Sequence, residues 1–207
     1  MRYKSNLIAP DLRPFFKLAD PMKQMMGHDA PSDPDFLPEC TFFTDDEAAI
    51  LYHCAKAWPK RWVDIGARLG WSAKHINWIT NGPVYCVEPE LAVPEFAGRF
   101  LENVGMAWAI TGWMQPLTSE RFFSLNRPIN AACIDGCHDA PEPTLDAFRA
   151  IQAGAQVLVW HDFQGKPVRD AVEEVLMLGN REILSFGNHG KFKLDGPWHA
   201  RVYWTPN

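Results

Sequence analysis

The chain has 207 residues, 47% of them hydrophobic and 22% charged, with a formal net charge of −5 and a pI near 5.8. That length and balance suit one globular domain able to bury a core, and the acidic charge argues against a nucleic-acid binder, which needs a basic face, while leaving room for a local basic patch. No apolar run approaches the length of a membrane span and no signal-peptide pattern opens the chain, so the expectation is a cytoplasmic protein whose five unpaired-looking cysteines stay reduced.

Residues 1–42 are interrupted by Pro10, Pro14, Pro21, Pro31, Pro34 and Pro38, which exclude long regular elements. Phe15, Phe16, Met22, Met25 and Met26 make this an arm that packs on the domain of residues 43–207, as a cover over core surface or as a lid over a pocket. Thr44-Asp45-Asp46-Glu47 is a capping box, and Leu51, Cys54, Ala55 and Trp58 behind it recur at helical spacing until Pro59. A strand follows over 61–65, a helix over 71–80, and a short buried strand over 84–87 closed by Glu88-Pro89-Glu90. Val93, Phe96, Ala97, Phe100, Leu101 and Val104 mark the next helix, and 107–111 a weaker strand ending at Gly112. A short helix over 118–125 precedes the buried strand 131–134, which ends in Asp135-Gly136.

Leu145, Phe148 and Ile151 mark a helix stopped by Gly154, and 156–160 is an apolar strand ending in His161-Asp162. Val168, Ala171, Val172, Val175 and Leu176 mark the last helix, stopped by Gly179, and 182–186, 191–194 and 200–204 read as strands. Alternation of this kind requires right-handed crossovers. It implies an α/β fold, a Rossmann-like doubly wound and mostly parallel sheet in a three-layer αβα arrangement with an antiparallel end.

The stretch Asp64-Ile65-Gly66-Ala67-Arg68-Leu69-Gly70-Trp71-Ser72 joins the first strand to its helix through two glycines four apart. Such a turn is either a cofactor turn or a tight strand–helix connection. Asp64, Glu88, Asp135 and Asp162 all stand at or beside strand carboxyl ends, and in a parallel sheet those ends share one edge, where open α/β sheets bind ligands. Glu88, about twenty residues beyond the glycine turn, can accept both hydroxyls of a ribose, or is a solvated strand-end acid. The G-x-x-x-G spacing lacks the closer glycines that approach a pyrophosphate, although Arg68 offers charge to a phosphate. Asp135, His161 and Asp162 are oxygen and imidazole donors suited to Mg²⁺, Mn²⁺ or Fe²⁺, or else strand-end groups that cap helices and pack. His138 has the ordinary pKa of a general base, or binds a neighbouring loop.

Asp64-x-Gly66-x-x-x-Gly70-x-Ser72 with Glu88 on the second strand resembles the class I S-adenosylmethionine-dependent methyltransferases. Ile134-Asp135-Gly136-Cys137-His138 and the later His161-Asp162 are similar to the strand-end motifs, I-D-G-x-H and H-D, of the small-molecule O-methyltransferase-like family (methyltransferase domain family 24). The resemblance covers about residues 43–180. It implies that Asp64, Gly66, Arg68, Gly70 and Ser72 border the amino-acid end of S-adenosylmethionine, that Glu88 holds the ribose, and that Gly112 and Trp113 lie by the adenine, the indole stacking on it. It further implies that Asp135 borders the cofactor and serves catalysis with His138, and that Asp135, His161 and Asp162 hold Mg²⁺ or Mn²⁺. The family places an acid where Trp113 stands and another where Cys137 stands. The implied activity is O-methylation of a small-molecule hydroxyl, with neither nucleic acid nor membrane as partner, in a monomer or a homo-oligomer formed by arm exchange. A nicotinamide-dependent oxidoreductase and a non-catalytic binding module are the alternatives the same fold allows.

Overall fold

A computed structural model describes residues 51, 54–56, 58–70, 72–73, 76–77, 80, 83–104, 113–163, 165–177, 182–184 and 201–204. The N-terminal arm, the capping box at Thr44–Glu47, Gly112, Gly179 and the strands expected over 107–111 and 191–194 lie outside these residues.

The central sheet is built from strands β1 (Trp62–Ile65), β2 (Val84–Val87), β3 (Trp113–Gln115), β4 (Ala131–Ile134), β5 (Val157–Trp160), β6 (Glu182–Leu184) and β7 (Arg201–Trp204), in the order β3-β2-β1-β4-β5-β7-β6. The first five run parallel and β7 is antiparallel to both β5 and β6. In β1, β2, β4 and β5 every residue is buried. That is why they read as short continuous apolar runs: a parallel strand has helices over both faces and no solvent face to alternate with. The helices are α1 (Pro94–Val104), α2 (Ser119–Phe123), α3 (Glu142–Gln152) and α4 (Lys166–Met177), joined by helical residues 54–56, 72–73 and 76–77 and a 3₁₀ turn at Pro89–Ala92.

Two core layers follow from the strand alternation. Trp62, Val84, Cys86, Ala131, Cys133, Val157 and Val159 face one side, where Leu51, Cys54, Ala55, Ala73, Ile76, Phe100 and Val104 pack on them. Val63, Ile65, Tyr85, Val87, Ala132, Ile134, Leu158 and Trp160 face the other, against Phe122 of α2, Ala147 and Ala150 of α3 and Val168, Val172 and Val175 of α4. The three-layer αβα expectation therefore holds. No described helix is long and apolar enough to cross a membrane.

The third described strand follows the stretch 107–111, which lies outside the described residues. It lies at Trp113–Gln115, paired in parallel with Tyr85–Val87, and the Glu88 amide continues the ladder to the Gln115 carbonyl at 3.1 Å. β1 and β4 are neighbours whose crossovers leave in opposite directions, and the crevice opens above their carboxyl ends.

Candidate active site

A cavity of about 860 Å³ occupies that crevice. Its wall is contributed by the turn after β1 (Gly66, Ala67, Arg68, Leu69, Ser72), the end of β2 (Glu88, Glu90), the segment after β3 (Thr118, Ser119, Glu120), the end of β4 (Asp135, Cys137, His138), α3 (Glu142, Asp146) and the end of β5 (His161, Asp162). Of the residues expected here, Gly66, Arg68, Ser72, Glu88, Asp135, His138, His161 and Asp162 line the cavity, whereas Asp64 and Gly70 do not.

The two glycines are required by packing. A Cβ on Gly66 (φ 78°) would stand 2.1 Å from the carbonyl oxygen of Asp135, and one on Gly70 (φ 87°) 2.4 Å from Val104 of α1. The turn after β1 is thus pressed against the loop after β4 on one side and against α1 on the other, with both glycines in left-handed backbone.

Asp64 lies beneath the cavity floor, on the same sheet face as Cys86 and Cys133, which flank it in register. It is fully buried, accepts a 2.5 Å hydrogen bond from Ser72 Oγ through Oδ2, and leaves Oδ1 without a hydrogen-bond partner. Burial raises its pKa from 3.8 to about 7, against the lowering effect of the Ser72 bond. Asp64 does not line the cavity itself; the period-two pleat turns it towards the helix layer, and it anchors the glycine turn through Ser72.

Glu88 clips two segments together. Its Oε2 accepts from the Arg68 amide at 3.2 Å and its Oε1 from the Glu90 amide at 3.1 Å. The residue is mostly buried, and burial raises its pKa. Each oxygen keeps a second lone pair, so the carboxylate can also accept two ligand hydroxyls. Arg68 reaches this arrangement through left-handed backbone (φ 40°), as does Asp162 (φ 50°). For non-glycine residues such backbone costs roughly 1 kcal/mol or more and concentrates at functional sites.

The ends of β4 and β5 bring four polar side chains together. His161 Nδ1 is 3.0 Å from Asp135 Oδ1 and 3.1 Å from Asp162 Oδ2. His138 straddles the same carboxylates, with Nε2 3.3 Å from Asp135 Oδ1 and Nδ1 3.5 Å from Asp162 Oδ2. One donor atom each from Asp135, His161 and Asp162 falls within 4.8 Å of the others, the separation a shared cation needs. His161 is buried, and the hydrogen bond to Asp135 raises the pKa of the half-exposed His138. The ladder explains the convergence: the Asp135 amide bonds the Ile65 carbonyl and the His161 amide the Ile134 carbonyl, so the residues just past β4 and β5 share the edge.

A second polar cluster, unread in the sequence, closes the opposite wall. Thr118 caps α2, its hydroxyl accepting from the Arg121 amide, and this fixes Ser119 at the rim. Ser119 Oγ donates to Asp146 Oδ1 at 2.5 Å, and Arg149 Nη1 reaches the same Asp146 oxygen at 3.0 Å, Ser119 Oγ at 3.2 Å and Glu142 Oε2 at 3.4 Å. Asp146 is almost fully buried, and its pKa is raised by burial. The fully buried face of α3 is Pro143, Asp146, Ala147 and Ala150, while Phe148 and Ile151 of the stripe that hydrophobic spacing selects are partly buried against the same core. An acid four residues before an alanine on that face was the available signal.

Trp113 opens β3 in register with Tyr85, away from the strand's carboxyl end, so the residues that border the cavity there are Thr118, Ser119 and Glu120. Gly112 lies outside the described residues. Cys137 is exposed at the cavity, while Cys54, Cys86 and Cys133 are buried thiols.

No family model matches the chain, and no curated protein matches it. Among solved structures it is similar to the S-adenosylhomocysteine-bound methyltransferase PaMTH1 of Podospora anserina, with a TM-score of 0.62 and 7% identity over 98% of this chain and 100% of that one. It is similar to the O-methyltransferase TomG of Streptomyces achromogenes in complex with S-adenosylmethionine, with a TM-score of 0.58 and 14% identity over 90% and 89% of the two chains. A third similar structure is the precorrin-6y C5,15-methyltransferase of Geobacter metallireducens, with a TM-score of 0.59 and 12% identity over 78% and 90%. At such identities the likeness speaks for architecture: the chain has the Rossmann-like α/β fold of the S-adenosylmethionine-dependent methyltransferases.

Proposed function

We propose that the protein is an S-adenosylmethionine-dependent methyltransferase that transfers the methyl group to a hydroxyl oxygen of a small molecule, with a divalent ion at Asp135, His161 and Asp162. The observation that carries this reading is one continuous cavity with the Glu88 clip in its wall and the carboxylate–imidazole cluster at its end. Its volume, about 860 Å³, holds a nucleoside-sized cofactor and a small acceptor together.

Glu88 would hold the ribose hydroxyls, and the amides and left-handed backbone of residues 66–69 would border the amino-acid end. Bound there, S-adenosylmethionine supplies an electrophilic methyl group on a sulfonium. The ion fits the donor set: two ligands about 2.1 Å from an octahedral ion stand ~3 Å apart, which is the spacing of His161 Nδ1 from each carboxylate. A divalent ion at this point supplies charge that lowers the pKa of an acceptor hydroxyl. His138, half-exposed in the cavity and hydrogen-bonded to Asp135, would take the hydroxyl proton. A small acceptor suits the charge of the cavity wall, where Glu90, Glu120 and Glu142 join the site acids and would repel a polyanion.

The test is calorimetric titration of S-adenosylhomocysteine into the purified protein, with and without Mg²⁺ or Mn²⁺. Binding is expected for wild type and should weaken about tenfold to a hundredfold in Glu88→Gln, which replaces one charged acceptor by an amide. Heat from the ion alone should disappear in Asp162→Asn. A folded wild-type protein that binds no S-adenosylhomocysteine at millimolar concentration would overturn the reading.

A further inference from the structure

Asp146 is a buried carboxylate for which neither the reaction chemistry nor the ribose has a use. Its two oxygens differ. Oδ1 is engaged twice, by the Ser119 hydroxyl and by Arg149 Nη1. Oδ2 faces Gly136 across the cavity wall, 3.4 Å from where a Cβ on that glycine would sit. Gly136 and Asp146 both line the cavity, and with glycine at 136 no side chain from that position stands against the oxygen. The side chain is held rigidly by α3 on one side and by the capped end of α2 on the other.

The order of groups along the edge says what meets this oxygen. Glu88, at the end of β2, stands between the turn after β1 and the segment after β3. If a ribose is held at Glu88, the reacting end of the ligand lies towards β4 and β5, where His138, Asp135, His161 and Asp162 gather. The base, at the other end of the ribose, then lies towards Ser119 and Asp146. Building on the reading above, we propose that Asp146 is the residue that reads the base: Oδ2 accepts a hydrogen bond from the exocyclic amine of adenine, while Ser119 and Arg149 hold the carboxylate in that orientation.

The assignment has a consequence specific to its geometry. In Asp146→Asn the amide oxygen must take the place of Oδ1, because two donors point at it, and the amide nitrogen then replaces Oδ2. The site turns from an acceptor into a donor. It should lose its preference for a 6-amino purine and gain one for a 6-oxo purine.

Calorimetry on the full chain with three ligands tests this: S-adenosylhomocysteine, its analogue with hydrogen in place of the amine, and S-inosylhomocysteine. Wild type is expected to bind the amine-bearing ligand about tenfold to a hundredfold more tightly than the amine-free analogue, the range of a hydrogen bond to a charged group. Asp146→Asn should bring that ratio near one and bind the inosyl ligand more tightly than the adenosyl one. Ser119→Ala, which frees the carboxylate to turn, should reduce the wild-type ratio without inverting it. Wild type that binds both adenosyl ligand and amine-free analogue equally overturns the assignment and leaves the methyltransferase reading standing. Retention of full discrimination in a folded Asp146→Asn overturns it as well. Wild type that binds none of the three overturns both.

Discussion

Asp64 makes the stability of this fold depend on pH in a direction opposite to that of most carboxylates. It is fully buried with one oxygen unpartnered, and its pKa rises from 3.8 to about 7. A raised folded-state pKa means that the native protein keeps its proton where the unfolded chain has already lost it. Stability from this group is therefore complete below pH 4 and drains away as pH climbs through 7. At about 1.4 kcal/mol per pH unit the whole loss is roughly 4 kcal/mol, of which about 2–3 kcal/mol falls between pH 5 and pH 8. Asp64→Asn removes the titration while keeping an acceptor for Ser72. Urea unfolding of wild type and variant from pH 5 to pH 8 isolates this group, because every other titration is common to both. The difference in unfolding free energy should move by about 2–3 kcal/mol in favour of the variant as pH rises. Curves that stay parallel across that range, or diverge in the other sense, would refute the argument that burial dominates at this site.

Other outcomes follow from the same geometry. Gly66→Ala places a methyl group against the Asp135 backbone in left-handed φ, so it should cost about 2–4 kcal/mol and displace the β4 loop, seen as a lower melting temperature with weakened ion binding. Ser72→Ala removes the hydroxyl that donates to Asp64 Oδ2 and should destabilise by about 1–3 kcal/mol in chemical denaturation. Brief alkylation of the native protein followed by peptide mapping should label Cys137, while Cys54, Cys86 and Cys133, buried with their thiol pKa values pushed up, react only after unfolding. Rapid labelling of Cys133 in the native state would contradict the packing around β4.

The parts of this fold that were legible in the sequence are those where one physical cause acts alone. β1, β2, β4 and β5 are covered on both faces, so composition marks them directly, and the acids at their ends fall on one edge because parallel strands all finish there. Legibility failed where two causes compete. At Asp64 the strand-end position suggests a ligand, but the pleat decides the direction of the side chain and sends it into the helix layer. In α3 the large apolar residues Leu145, Phe148 and Ile151 outweigh small ones in any hydrophobic pattern, yet close packing on the sheet selects Ala147 and Ala150 and carries Asp146 inside with them. β3 has only three residues, too few for a pattern to mark, and its pairing with β2 defines it. Of the two readings the glycine turn allows, close packing is visible directly, since both glycines abut a neighbour's backbone or side chains.

The Glu88 clip gives the protein two spectroscopic reporters that require no knowledge of the acceptor. The amides of Arg68 and Glu90, on separate segments, donate to opposite oxygens of one carboxylate. Any molecule that draws electron density from that carboxylate weakens both bonds at once. The two backbone resonances should then move in step during a titration, even though the segments belong to different strand connections. Fragments and nucleosides can thus be screened by watching a correlated pair of peaks, and a compound that shifts only one of them is binding somewhere else.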